Sequence, residues 1–334
     1  MTTREPLLLP PATLQVVRHY MRQARATTTR RAYAAQWQPF VAWCQARGCP
    51  PLPAPPALVA AYLAERAQAG SAVASIGVML AAIAFAHRAA GLRFERADPA
   101  LKLVLEGIRR AHVRPQAQAE PLTGRLLADV LAGLGSTPLE RRDGALLAVL
   151  YLFALRASEA VTLDWRHGSA GRGWLRLAAD RAEVVLLGSK AAQGQAQRVV
   201  IPAAANPVAL GAIRAWVDEA GIEAGEALLR PIAASGSVRA GQLDAASVGG
   251  IVRRAMQRHF QRRGATAAEA RVQARRFSGH SGRVGLYVTA SEAGAAPQHI
   301  AAIARHASMA MALRYGRRAD LLRCAPHHLP GVGV

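Results

Sequence analysis

Apolar residues recur along the first hundred positions with the period of an α-helix. Tyr33, Trp37, Phe40, Val41 and Cys44 fall at i, i+4, i+7, i+8 and i+11, which is one helical face. Thr27 to Thr29 supply N-cap candidates for that helix and Gly48 a stop. Pro55–Pro56 opens a second helix, and Gly70–Ser71 separates it from a third that ends at Gly91. Asp98–Pro99 reads as an N-cap followed by a proline at the first helical position, starting a helix that carries Arg109 and Arg110. The polar, proline-flanked run from Ala111 to Pro121 reads as an interdomain linker.

Beyond it the pattern changes twice. Leu122–Gly135 and Leu139–Leu155 read as helices, the latter so apolar that it predicts a buried central element. Between Gly173 and Pro202 the runs WLRLA, EVVLLG and QRVVIP are short β-type segments broken by Gly, Asp and Ser, and they predict a three-stranded antiparallel sheet. Helices then return, including Ser247–Arg263. At roughly 150 residues per domain, a chain of 334 residues divides into two. The reading is therefore mainly α with a small antiparallel β-sheet: a helical domain over 1–111, a linker over 112–121 and an α+β domain over 122–334.

Charge narrows the partner. Forty-two Lys+Arg against 21 Asp+Glu give +21, which calls for a polyanion, either nucleic acid or an anionic membrane. The longest nearly apolar stretch, Ala72–Phe85, is interrupted by Ser75 and Gly77 and is too short to span a bilayer. Prolines in MTTREPLLLPPATL break the apolar core that a secretory signal needs, so the expected place is the cytoplasm. Cys44, Cys49 and Cys324 match no zinc spacing and are expected to be reduced, buried thiols; no metal site is expected. Arg253 to Arg276 holds eight arginines and one acid, Glu269. Such a run is either a solvated helix face or a phosphate-contacting one. On the second reading Arg253, Arg254, Arg258, Arg275 and Arg276, with Arg30 and Arg31 near the start of the first helix, are the candidate DNA contacts.

The chemistry lies in spacing. His280 and Arg283 form H-x-x-R inside SGHSGRVG, His306 follows Arg283 by 23 residues, and Tyr315 follows His306 by nine. Upstream, Arg156 and Glu159 sit in ALRASEA, and Lys190 sits in LGSKAAQGQ between the second and third expected strands. Singly, each residue has an ordinary explanation: a core histidine, an i,i+3 ion pair, a solvated lysine. As an ordered set they suit attack on a phosphodiester. A tyrosine hydroxyl is a usable nucleophile once a base takes its proton and the phosphate charge is neutralised. Two arginines can fork onto the non-bridging oxygens. The leaving 5′-oxygen needs a proton that arginine cannot give and lysine can, and only two lysines, Lys102 and Lys190, stand among the basic residues.

This ordered R…K…HxxR…H…Y set resembles the tyrosine recombinase (phage integrase) family, whose active site is shared with type IB topoisomerases. SGHSGRVG, the spacing to His306 and Tyr315, and the 19-residue tail 316–334 look most like its Cre-like branch. TTTRRAYAAQWQPFVAWC resembles the family's helical core-binding domain more loosely. The resemblance implies Tyr315 as the nucleophile of a 3′-phosphotyrosine intermediate, and Arg156 and Arg283 as binders of the scissile phosphate. His306 would be a hydrogen-bond donor to a non-bridging oxygen, His280 an acceptor of the tyrosine proton and Lys190 the acid for the 5′-oxygen. Glu159 would be a supporting carboxylate. It implies no metal, ATP or other cofactor. The implied partner is double-stranded DNA with inverted-repeat half-sites, engaged by a homo-tetramer on two duplexes through a Holliday junction, with a monomer free in solution. The setting would be bacterial nucleoid, plasmid or phage DNA, and the tail would dock on a neighbouring subunit. Arg305 stands before His306 where the family usually has glycine, and Ser281–Gly282 replaces a bulkier pair. Two other readings stay open: a topoisomerase-like enzyme that relaxes DNA, and a non-catalytic DNA-binding protein.

Overall fold

The computed structural model describes residues 10–23, 27–112, 118–169, 172–187 and 196–303. The chain divides into two compact units at Gln116/Ala117.

Among the described residues, the first unit contains five helices: α1 (Pro11–Gln23), α2 (Thr27–Gln45), α3 (Pro56–Gln68), α4 (Val73–Ala89) and α5 (Pro99–Ala111). The expected punctuation operates here. Proline occupies the first position of α3 and of α5, and the Asp98 carboxylate accepts from the Leu101 N–H, 2.9 Å away, to cap α5. Phe40 and Cys44 of the α2 face are fully buried, and Tyr62 meets Phe40 edge-on at 5.1 Å. His87 of α4 is also fully buried and satisfied at both nitrogens. Its Nε2 accepts from the Ala54 N–H (2.9 Å), so the ring proton sits on Nδ1 and is donated to the Ile83 carbonyl (2.8 Å).

The second unit is built around α7 (Pro138–Leu152), in which every residue from Arg142 to Leu152 is buried. Around it stand α6 (Gly124–Ala132), α8 (Ala157–Ala160), α9 (Pro207–Glu219), α10 (Ala245–Arg262), α11 (Ala267–Ala274), α12 (Ser281–Glu292) and α13 (Pro297–Ile303). α9 and α12 make the most extensive packing against α7. Burial of α7 takes charge with it. The Arg142 Nε donates to Asp143 at 2.8 Å with both side chains inaccessible, and Arg254 of α10 approaches the other Asp143 oxygen at 3.8 Å.

The sheet corrects the expectation of three antiparallel strands. Among the described residues it has four, in the order β1 (Asp164–Trp165), β2 (Trp174–Leu177), β3 (Arg181–Leu186) and β4 (Gln197–Pro202), and it is mixed. β2, β3 and β4 are antiparallel, with Leu175 opposite Val184 and Val184 opposite Val199, while β1 runs parallel to β2. β1 is too short to leave a periodic signal. Backbone groups distant in sequence hold it: Asp164 N–H donates to the Gly173 carbonyl and Trp165 N–H to that of Glu226. Cys44 is buried as expected and Cys49 is half-buried, whereas Cys324 lies outside the described residues.

Candidate active site

α7 ends at Leu152, and three residues turn the chain toward α8. The turn depends on Ala154, whose φ of 46° lies in the left-handed region that side chains disfavour. Ala154 is fully buried, and its carbonyl oxygen accepts from Arg283 Nη1 at 2.8 Å. The strained turn thus supplies the acceptor that positions one candidate arginine and leads directly into the other.

Arg156 occupies the N-cap position of α8. Glu159, one turn on, grips it twice: one carboxylate oxygen accepts from the Arg156 backbone N–H (2.9 Å) and the other from Nη1 (2.6 Å). The Arg156 side chain keeps 29% of its surface exposed and that of Glu159 only 10%, so the carboxylate holds from behind while the guanidinium reaches outward. The i,i+3 pair expected from sequence is therefore an orienting clamp.

α12 brings in the H-x-x-R motif, with His280 at its N-cap position. The neighbouring serine and glycines have geometric reasons. Ser281 Oγ accepts from the Ser278 N–H (2.9 Å), and Ser278 Oγ from the His280 N–H (3.2 Å), closing the turn before the helix. A Cβ on Gly282 would lie 2.8 Å from the Leu150 carbonyl carbon, and one on Gly285 would overlap the Leu122 carbonyl oxygen. Only backbone fits between α12 and these neighbours, and this close approach carries Arg283 to Ala154. Arg283 is 4% exposed. Burial pushes its pKa below the ordinary arginine value; nearby Tyr287, one helical turn away, acts in the opposite direction and Arg156 adds to the lowering. His280 is likewise held below the ordinary histidine value, chiefly by burial, then by Arg283 and Arg156, with Glu159 opposing. A neutral imidazole beside two guanidinium groups is the protonation state that a proton acceptor needs.

Arg156, Glu159 and His280 line one open cleft of about 730 Å³, together with Thr162, Leu186, Leu187 and the α10 residues Ala245 and Ala246. The structure therefore brings together four of the seven chemical candidates: Arg156, Glu159 and His280 on the wall, Arg283 through Ala154. Lys190, His306 and Tyr315, and Arg305 with them, lie outside the described residues. Ala154 and Tyr287 were not singled out from sequence. Tyr287 follows Arg283 by four residues and could have been found from helical spacing, whereas the role of Ala154 depends on a backbone torsion. Among the described residues, no group of three or more His, Cys, Asp or Glu side chains could hold a metal ion.

The arginines expected at DNA divide. Arg253 and Arg275 are exposed. Arg254 faces Asp143, Arg258 lies 3.7 Å from Glu140, and Arg276 pairs with Glu120, so part of this basic run is bound to acids of the same unit. Arg30 and Arg31, also exposed, rim a groove of about 500 Å³ in the first unit, with Tyr33, Trp37 and Phe85.

No family model matches the chain. It is 29% identical over 318 residues to an integrase/recombinase XerD homolog of Selenomonas ruminantium, covering 91% of this chain and 85% of the relative. Its fold is shared with a lambda integrase dimer bound to a core site (TM-score 0.52, 15% identity, 90% of this chain and 93% of that one). It is shared also with the Tn1549 transposon integrase in complex with transposon right end DNA (TM-score 0.51, 13% identity, 83% and 87%). The chain is thus similar in sequence to a recombinase homolog and shares its fold with two integrases.

Proposed function

We propose that the protein is a site-specific DNA recombinase that cuts and rejoins strands through a 3′-phosphotyrosine. The observation that carries this reading is the convergence of Arg156, clamped by Glu159, with His280 and Arg283, residues 124 or more positions away in sequence. Similarity to a recombinase over most of both chains supports it. The Tyr315 oxygen attacks the scissile phosphorus as its proton passes to His280. Charge building on the non-bridging oxygens is met by Arg156, Arg283 and a hydrogen bond from His306. The bond from phosphorus to the 5′-oxygen breaks, and Lys190 protonates the departing oxygen. The phosphotyrosine conserves the energy of the broken bond, so religation by a 5′-hydroxyl needs neither ATP nor metal.

In this reading the helical domain 1–111 and the catalytic domain 122–334 clamp duplex DNA through the linker 112–121. Two inverted half-sites on each of two duplexes assemble four protomers, which exchange strands through a Holliday junction, with the tail 316–334 docked on a neighbour. The substrate would be bacterial chromosomal, plasmid or phage DNA in the cytoplasm.

The test joins chemistry to target. The pure protein is incubated in chelator with fragmented, randomly nicked genomic DNA of its source, and denatured covalent complexes are sequenced and their modified peptide identified. DNA joined to Tyr315, with reads converging on an inverted repeat, is the expected result, and Tyr315→Phe should bind the same DNA and form no adduct. Adducts scattered over unrelated sequences would instead support a relaxing topoisomerase. An adduct formed by Tyr315→Phe would remove that residue from its role.

A further inference from the structure

The first unit holds two thiols that strand exchange does not use. α2 closes in a Schellman motif: the Cys49 N–H donates to the Cys44 carbonyl (3.0 Å) and the Gly48 N–H to that of Gln45 (3.1 Å), with Gly48 at φ 64°. This closure commonly packs the side chain after the glycine against the side chain of the residue whose carbonyl it caps. Here both are cysteines. Cys44 is fully buried in the core of the unit, and half-buried Cys49 packs against that same core. Standard bond lengths keep their Cα atoms within roughly 7 Å even if every bond were collinear. Real bond angles shorten this toward the span of about 4.4–6.8 Å that disulfides bridge. The Cys44 thiol is pushed up by burial first and then by Cys49, in keeping with the proximity that the backbone dictates. The Cys49 sulfur makes only a 3.5 Å contact with the Arg47 carbonyl oxygen, which a side-chain rotation gives up.

We propose that Cys44 and Cys49 are a redox pair that closes to an intramolecular disulfide when the protein meets a hydroperoxide. Cys49, the more accessible, reacts first. Its thiolate attacks the peroxide, the O–O bond breaks, and a sulfenic acid and one water form from hydrogen peroxide. The Cys44 sulfur then attacks the sulfenic sulfur, the S–O bond breaks, and the hydroxide leaves as water with the Cys44 proton. Two thiols and one hydrogen peroxide yield one disulfide and two waters, a two-electron oxidation that a dithiol reverses by exchange.

Arg47 lies between the two cysteines, so trypsin separates them into residues 32–47 and 48–66. The full chain is treated with hydrogen peroxide, alkylated in denaturant and digested without reduction. The expected product is these two peptides joined, lighter than their sum by two hydrogens and released by dithiothreitol. Cys324→Ser should form the same product, and Cys49→Ser should leave Cys44 fully alkylated. Alkylation of both thiols after peroxide, a bridge from either to Cys324, or overoxidation of Cys49 with Cys44 still free would overturn the assignment.

Discussion

At the scale of single residues, the proposed chemistry would depend on groups placed behind the reacting atoms. Glu159 holds Arg156 by its backbone and its guanidinium at once. Glu159→Gln keeps the shape and loses the charge, and it should slow adduct formation on the order of 10²-fold, as misplacement of a reacting group by about 1 Å does. Affinity for DNA, if spread over many phosphate contacts, should stay nearly constant, and a fall in affinity equal to the fall in rate would refute an orienting role. His280 gives a pH signature. Its pKa in the folded chain is held below the ordinary histidine value, so the imidazole takes up its proton in more acid solution than a free histidine does. Adduct formation should therefore decline at a lower pH than an ordinary histidine base would set. The stability sign follows by linkage. Below 6.5 the unfolded chain takes up its proton before the folded one, so this group makes the fold less stable as pH drops. Single-turnover cleavage and urea melts over one pH series check both. H-x-x-R and its companions could be singled out because their order and spacing resemble a family pattern. The Ala154 carbonyl was not, since any residue has a carbonyl and only the torsion aims this one.

At the scale of elements, glycine contacts separate packing from propensity. Gly285→Ala puts a methyl onto the Leu122 carbonyl oxygen and should destabilise the chain by about 1–3 kcal/mol. Gly107, on the exposed side of α5, has nothing within 4 Å of a built Cβ, so Gly107→Ala should stabilise by up to about 1 kcal/mol. Denaturant midpoints shifted in opposite directions are the expected outcome, and an unchanged or raised midpoint for Gly285→Ala would contradict the close approach at α12. The start of α5 was legible because caps and prolines are local: Asp98–Pro99 opens it as side-chain chemistry requires, whereas the Thr137–Pro138 start of α7 emerged only from the structure. β1 was hidden because its two residues are fixed by partners near Gly173 and Glu226, which no local pattern encodes.

At the scale of the whole molecule, a formal charge of +21 favours a polyanionic partner, while Arg254, Arg258 and Arg276 lie against acids of their own unit. Binding to duplex DNA should weaken on the order of a thousandfold or more between about 50 and 200 mM salt if six or more phosphates are neutralised. A flat titration would leave the charge without that role. The chain enters the second unit along a row of hydrogen bonds. Glu120 N–H bonds the Arg276 carbonyl, Leu122 N–H bonds that of Ser281, and the Gly124 N–H is received by Thr289 Oγ1 at 3.0 Å. These residues look like the end of a linker in sequence, yet they line the back of the helix that carries Arg283. A fragment meant to represent the second unit must begin no later than residue 118; trimmed at 123, it would lose the rail on which α12 rests.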